Sequence, residues 1–169
     1  MPQGQYPTVY AGANGVASLL QALAPLNAYK SGDTSRASTT ALTADPDLTI
    51  HLSANATYFF VMVLDYEGGT QGSSDLAFDL TGPSGATARF WMGNMSTAGV
   101  STAAFMGQQG VTYSAGSNGA GNLQGVLAAG TIFTSGSSGF FTLNWAQKTS
   151  SATATIVHAQ SALMAWRLA

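Results

Sequence analysis

The sequence predicts an all-β, jelly-roll-like sandwich of about 8–10 strands preceded by a short N-terminal helical arm. Three observations carry this. Short runs rich in Thr, Val, Ile and aromatic residues alternate in type along most of the chain. Turns containing Gly, Ser, Asp and Pro punctuate them at short intervals. A helical stripe occurs only near the N-terminus, where Val16, Leu19, Leu20 and Leu23 fall at i, i+3, i+4 and i+7.

That stripe defines an arm over residues 1–30, with a β-sandwich domain over 31–169. Asn14 suits the N-cap and Pro25 a stop beyond the last turn. A helix of about ten residues is marginal alone, so its apolar stripe must pack on something. It either folds back onto its own domain or docks on a neighbouring subunit.

Beyond Lys30 the expected strands are Ser38–Leu42, Asp47–Leu52, Thr57–Tyr66, Leu76–Leu80, Ala86–Met92, Thr102–Met106, Leu123–Thr134, Phe140–Gln147, Thr153–His158 and Ser161–Leu168. Turn signals separate them at Ala44-Asp-Pro-Asp, Glu67-Gly-Gly-Thr-Gln-Gly-Ser-Ser, Gly82-Pro-Ser-Gly and Ser135-Gly-Ser-Ser-Gly. The Gly-rich stretch 107–122 reads as an exposed loop. A strand pair closing the chain must be locked into a sheet to avoid fraying.

The strand Thr57–Tyr66 is apolar on both sides. Tyr58, Phe60, Met62, Leu64 and Tyr66 share one face; Phe59, Val61 and Val63 share the other, which ends in Asp65. A sandwich strand normally buries one face and wets the other. Phe140–Gln147 behaves similarly, with Phe141, Leu143 and Trp145 opposite Phe140. Tyr58, Phe59, Phe60, Val61, Met62, Phe141 and Trp145 are therefore the candidate oligomer interface, and a second cover, either the arm or another subunit, is expected.

Composition points the same way. Charged residues are 7% of the 169, against about 25% in ordinary soluble proteins. So uncharged a surface is sticky on a monomer, and the economical explanation is a subunit of something larger. A Ser/Thr-covered β protein is the plainer alternative. Lys30, Arg36, Arg89, Lys148 and Arg167 are scattered, so nucleic acid is not an expected partner. Cysteine is absent, which removes disulfides and thiolate chemistry. No signal peptide and no membrane-spanning run are read in the sequence.

Chemistry-bearing motifs are sparse. His51 and His158 lack metal-ligand spacing, no Gly-x-Ser-x-Gly elbow occurs, and no phosphate-cradling loop is present. Asp45 and Asp47 flank Pro46, and Asp65, Glu67 and Asp75 bracket a Gly-rich loop. The second group is the one place for a weak cation site, although solvated turn carboxylates explain it as well. The residues therefore predict no enzyme, no catalytic residue, no metal and no cofactor. Tyr66, Trp91 and Tyr113 are the candidates for stacking on a host-surface glycan.

Several segments resemble small structural proteins encoded among the virion genes of tailed phages of actinobacteria. They are ASLLQALAPL-x-AYK, DTSRASTTALTADPDLT, ANATY, DYEGGTQGSSDL and the closing WAQ-x-TSSATAT with S-x-L-x-x-WR, covering most of the chain outside about 93–122. A looser resemblance links Ala56-Thr-Tyr-Phe-Phe and Ser161-Ala-Leu-Met-Ala-Trp-Arg-Leu to the trimeric jelly roll of the complement globular head and tumour necrosis factor group. The resemblances imply a non-catalytic homotrimer of the virion, assembled in the bacterial host cytoplasm. It would be of minor tail or fibre type, or alternatively a head decoration protein, with tail or major capsid proteins as partners and a host-surface glycan as a further alternative. Which face of Thr57–Tyr66 would meet a partner is open at this stage.

Overall fold

The structure, a computed structural model, describes residues 24–69, 75–96 and 101–169. Two antiparallel sheets pack as a sandwich, and no helix occurs among the described residues. The expected helix with Val16, Leu19, Leu20 and Leu23 lies outside them.

The strands in chain order are β1 (Leu26–Tyr29), β2 (Thr34–Arg36), β3 (Thr43–Leu52), β4 (Thr57–Gly68), β5 (Leu76–Thr81), β6 (Thr87–Ser96), β7 (Ser101–Gln108), β8 (Tyr113–Ala115), β9 (Gln124–Phe133), β10 (Gly139–Gln147), β11 (Thr155–Val157) and β12 (Ala162–Arg167). An eight-stranded sheet runs β1-β12-β4-β9-β6-β7, with β11 pairing β4 beyond the end of β12 and β2 pairing β11. A four-stranded sheet runs β3-β10-β5-β8. From β3 onward the chain changes sheet at nearly every connection, and the β6–β7 hairpin is the main exception.

The core is the space between the sheets. Tyr58, Phe60, Met62, Leu64 and Tyr66 of β4 are buried there, as are Phe141, Leu143 and Trp145 of β10. Phe60 meets Phe141 of the facing sheet at 4.9 Å between ring centroids and Phe90 of its own sheet at 5.7 Å. Phe60 and Phe90 both pair with Gly130 of the intervening strand. A Cβ at Gly130 would lie 2.4 Å from the Phe90 Cα and 2.5 Å from its Cβ, so glycine is what lets the two rings converge.

The expected strand order holds from Leu76 to the C-terminal strands with shifts of a few residues at the ends. Three strands were not anticipated. β1 joins the edge of the large sheet through Leu26↔Ala165 to Tyr29↔Ala162, so this part of the arm belongs to the sandwich. The second strand falls at Thr34–Arg36, ahead of the expected Ser38–Leu42, and Ser38 takes a positive φ of 56° instead. Within 107–122, Tyr113–Ala115 pairs with β5, because the Tyr113 ring has Phe78 and Phe90 to pack on.

The Ala44-Asp-Pro-Asp turn signal proves to be a bulge inside β3. The register against β10 jumps from Thr49↔Thr142 to Ala44↔Asn144, leaving 45–48 opposite Leu143. β3 is an edge strand, where proline is tolerated. The Asp45 carboxylate accepts the N–H groups of Asp47 at 3.0 Å and Leu48 at 3.1 Å, and this local turn carries Asp45 inward.

Candidate functional site

The outer face of the eight-stranded sheet is where the described surface departs most from that of an ordinary soluble protein. Side chains alternate along each strand, so register decides which of them share a row. One row crosses the sheet as Met164, Val61, Ala129, Trp91 and Met106. Ala162, Val63, Leu127 and Gly93 form the next. On the other side lies Trp166, Phe59, Thr131, Arg89 and Gln108, where Phe59 and Trp166 pack at 6.0 Å between centroids. The last row is Thr57, Phe133 and Thr87.

Trp91 is 62% exposed, Phe133 52%, Met106 50% and Leu127 47%, with Phe59 and Val63 also over a third exposed. Singly exposed apolar side chains are ordinary, but a contiguous patch across several strands marks an interaction surface. Charge lies only at its ends: Asp65 and Glu67 continue the face of β4 at one end, and Arg89 stands at the other.

This geometry divides the candidate interface residues. Phe59 and Val61 lie on the outer face. Tyr58, Phe60, Met62, Phe141 and Trp145 do not, because the facing sheet already covers them within the same chain. Apolarity on both sides of β4 signals one intramolecular cover and one open face. Trp91 was read only as a glycan-stacking residue, and Leu127, Met106, Phe133 and Trp166 were missed, because only strand order brings them onto one face.

The glycan-stacking candidates divide likewise. Tyr66 is fully buried, and its hydroxyl donates to Gly116 O and lies 3.1 Å from Gln124 Oε1. Tyr113 packs against the core, and its hydroxyl accepts the Gln108 N–H at 2.8 Å. Tyr66 is closed off and Tyr113 half-buried, while Trp91 is exposed on the outer face.

At the Thr57 end of the face lies a groove of about 430 Å³ lined by Thr57, Thr87, Arg89, Gln108, Gln109, Thr131 and Phe133 over a floor of Ala86 and Ala88. Gln109 is anchored in its wall by donating to Ala86 O at 2.5 Å.

Several titratable residues are engaged away from this face. Lys30 is fully buried, with Nζ 3.2 Å from Asp45 Oδ1 and 3.0 Å from Asp47 Oδ2, and it donates to Thr34 Oγ1 at 2.6 Å. The Trp145 indole donates to Asp45 Oδ2 at 2.9 Å. The Arg36 guanidinium lies 4.1 Å over the Trp145 ring and donates to carbonyls of Thr43, Ala44 and Trp145. Burial pushes the Asp45 carboxyl up, but the Asp47 N–H, the Trp145 indole, the Leu48 N–H and Lys30 more than offset it and hold it below the usual range. This closed brace ties β1 of the large sheet to β3 and β10 of the small one.

His158 Nδ1 lies 3.2 Å from Asp33 Oδ2, and the Ala159 N–H holds the Asp33 carboxyl below its ordinary value. Glu67 accepts the Gly121 N–H at 2.9 Å and Asp75 the Ser117 N–H at 2.9 Å, both from the connection between β8 and β9. Among the described residues no three of His, Cys, Asp and Glu come together in a way that would hold a metal ion. His51 is exposed on β3 with its ring edge-to-face with Phe140 at 5.3 Å.

No family model matches the chain, and no curated protein matches it in sequence.

Proposed function

We propose that this chain is a non-catalytic structural subunit of a tailed-phage particle, a jelly-roll homotrimer of minor tail or fibre type displayed on the virion exterior. The observation that carries the reading is the open apolar face of the eight-stranded sheet, occupied in the assembly by second copies of the chain. A face holding Val61, Val63, Phe59, Leu127, Trp91 and Met106 gains far more from burial than from water, at roughly 25 cal/mol per Å² of apolar surface. The shortage of charge removes the repulsion that keeps monomers apart.

The jelly-roll assignment is supported by the interleaved strand orders β1-β12-β4-β9 and β3-β10-β5-β8. The phage assignment rests on the sequence resemblances. The arm around Val16, Leu19, Leu20 and Leu23 serves as the anchor to tail or capsid protein, and deleting residues 1–23 spares β1 and the Lys30 brace. The truncated protein is expected to fold, trimerise and fail to join particles.

Sedimentation equilibrium of the full chain tests the assembly. We expect three times the chain mass at micromolar concentration; a clean monomer there overturns the reading. Antibody labelling of particles then separates a tail position from a head decoration.

A further inference from the structure

We infer that the groove at the Thr57 end of the outer face binds an acidic saccharide, with Arg89 taking the anionic group and Phe133 stacking on the sugar ring. One chain supplies every lining residue, and the inference requires that the proposed subunit contact, centred on the Trp91 and Leu127 rows, leave the Thr57 end of the face open.

The argument starts from Arg89. It is exposed, stands beside apolar side chains, and has no carboxylate partner among the described residues. The chain has seven acidic residues, and most are engaged elsewhere. Asp45 and Asp47 hold Lys30, Asp33 holds His158 and the Ala159 N–H, and Asp79 accepts from Asn144. Glu67 and Asp75 accept loop N–H groups. Asp65 lies six positions along β4 from Phe59, the residue in the Arg89 row, or about 20 Å at strand rise. No side-chain carboxylate of the subunit engages Arg89, which leaves its guanidinium available to an anion from outside. A guanidinium presents a planar fork suited to a carboxylate or phosphate.

The remaining lining narrows the ligand. Thr57, Thr87 and Thr131 offer hydroxyls that both donate and accept, and Gln108 offers an amide. A hydroxyl-rich molecule matches such a set; a fatty acid or apolar peptide does not. Phe133 pairs with both Thr57 and Thr87, so an exposed aromatic face sits between two hydroxyls. That is a platform for the C–H face of a sugar whose hydroxyls reach to either side. The volume falls in the usual small-ligand range of about 300–1,000 Å³.

The anion is either a uronate carboxylate or a sugar phosphate, and titration of the intact protein distinguishes them. The probes are an oligogalacturonate, a phosphorylated oligoglucoside and a neutral oligoglucoside, followed by calorimetry. We expect saturable binding of at least one anionic probe and at least tenfold weaker binding of the neutral one. Arg89→Gln and Phe133→Ala are each expected to weaken it at least tenfold, with Arg89→Lys intermediate and Arg167→Gln unchanged. Both sites are exposed, so native melting temperatures are expected, and sedimentation of the same samples reports the trimer separately. Binding of either anionic probe that is lost in Arg89→Gln supports the site and names its anion. No anionic binding at millimolar probe, equal binding of the neutral sugar, or indifference to both substitutions overturns it.

Discussion

On the outer face of the four-stranded sheet, Thr49 and Thr142 share a 2.7 Å hydrogen bond across β3 and β10. Beside them Asn144 Nδ2 donates to Asp79 at 2.7 Å and to Thr81 at 2.9 Å. On the outer face of the eight-stranded sheet, the row Met164, Val61, Ala129, Trp91 and Met106 contains no charge and no hydroxyl. Both faces belong to one sandwich and one charge-poor chain. The first satisfies its polar groups within the sheet and stays compatible with water. The second has no such ladder across its central rows, its hydroxyls and Arg89 lying toward the Thr57 end. The difference concentrates the apolar exposure on one side of the molecule, with Phe140 the large exposed apolar residue of the other, which under the proposed assembly is the side turned to solvent.

Two neighbours on β4 separate the buried face from the open one. Phe60 is completely buried between Phe90 and Phe141, so Phe60→Asp places an unpaired carboxylate in the core at a cost of several kcal/mol. We expect no folded protein. Phe59 lies one residue away on the open face, so Phe59→Asp is expected to keep a native β-sheet circular dichroism spectrum and sediment as a monomer. Should Phe59→Asp trimerise with unchanged affinity, the apolar face is not the subunit contact.

The next largest effect is on the brace that holds the two sheets together. Asp45→Asn removes the buried one of the two carboxylates that face the buried Lys30 ammonium and leaves only the partly exposed Asp47, so a loss toward the lower end of the range of about 3–5 kcal/mol for breaking a buried pair is expected. The Asp45 carboxyl titrates below its unfolded value of about 3.9. Its contribution is therefore fully present above that pH and is lost as pH falls through the lowered folded value. Asp33, shifted the same way, adds to the slope. Urea midpoints are expected to fall below about pH 4 in the natural chain and to fall less steeply in Asp45→Asn. Parallel pH profiles for the two proteins would mean that Asp45 does not carry this dependence.

How much of the contrast was legible beforehand follows from the range of each signal. Alternation is local, so β4 and β10 were readable as strands with their inner and outer residues correctly separated. Which apolar side of β4 meets the core is decided by the facing sheet, which is why Tyr58, Phe60 and Met62 entered the interface list beside Phe59 and Val61. The bulge at Asp45 shows the same limit. Its turn chemistry was visible, but its purpose depends on Lys30 and Trp145, which lie 15 and 100 positions away. Tyr66 and Tyr113 looked like ligand-stacking residues because both flank Gly-rich loops; their burial comes from strands β5, β6 and β9, distant in sequence. Gly130 carried no signal of its own, since a glycine in a strand is explained only by the two phenylalanines that close over it.

On the polar face a single side chain carries a small effect. Asn144→Ala removes two side-chain hydrogen bonds from a half-buried position, each worth about 0.5–1.5 kcal/mol net. Water is at hand on that face to solvate the Asp79 and Thr81 atoms left behind, so the loss is expected near the lower end, about 1 kcal/mol. Thermal melting measures it, and a fall of only a few degrees in Tm is expected. The informative measurement is sedimentation of the same variant. If the four-stranded sheet faces solvent in the assembly, Asn144→Ala sediments as the natural chain does and binds particles equally. Loss of the trimer without loss of folding would place the contact on the hydroxyl and amide ladder. The apolar face, despite its composition, would then be the side left open.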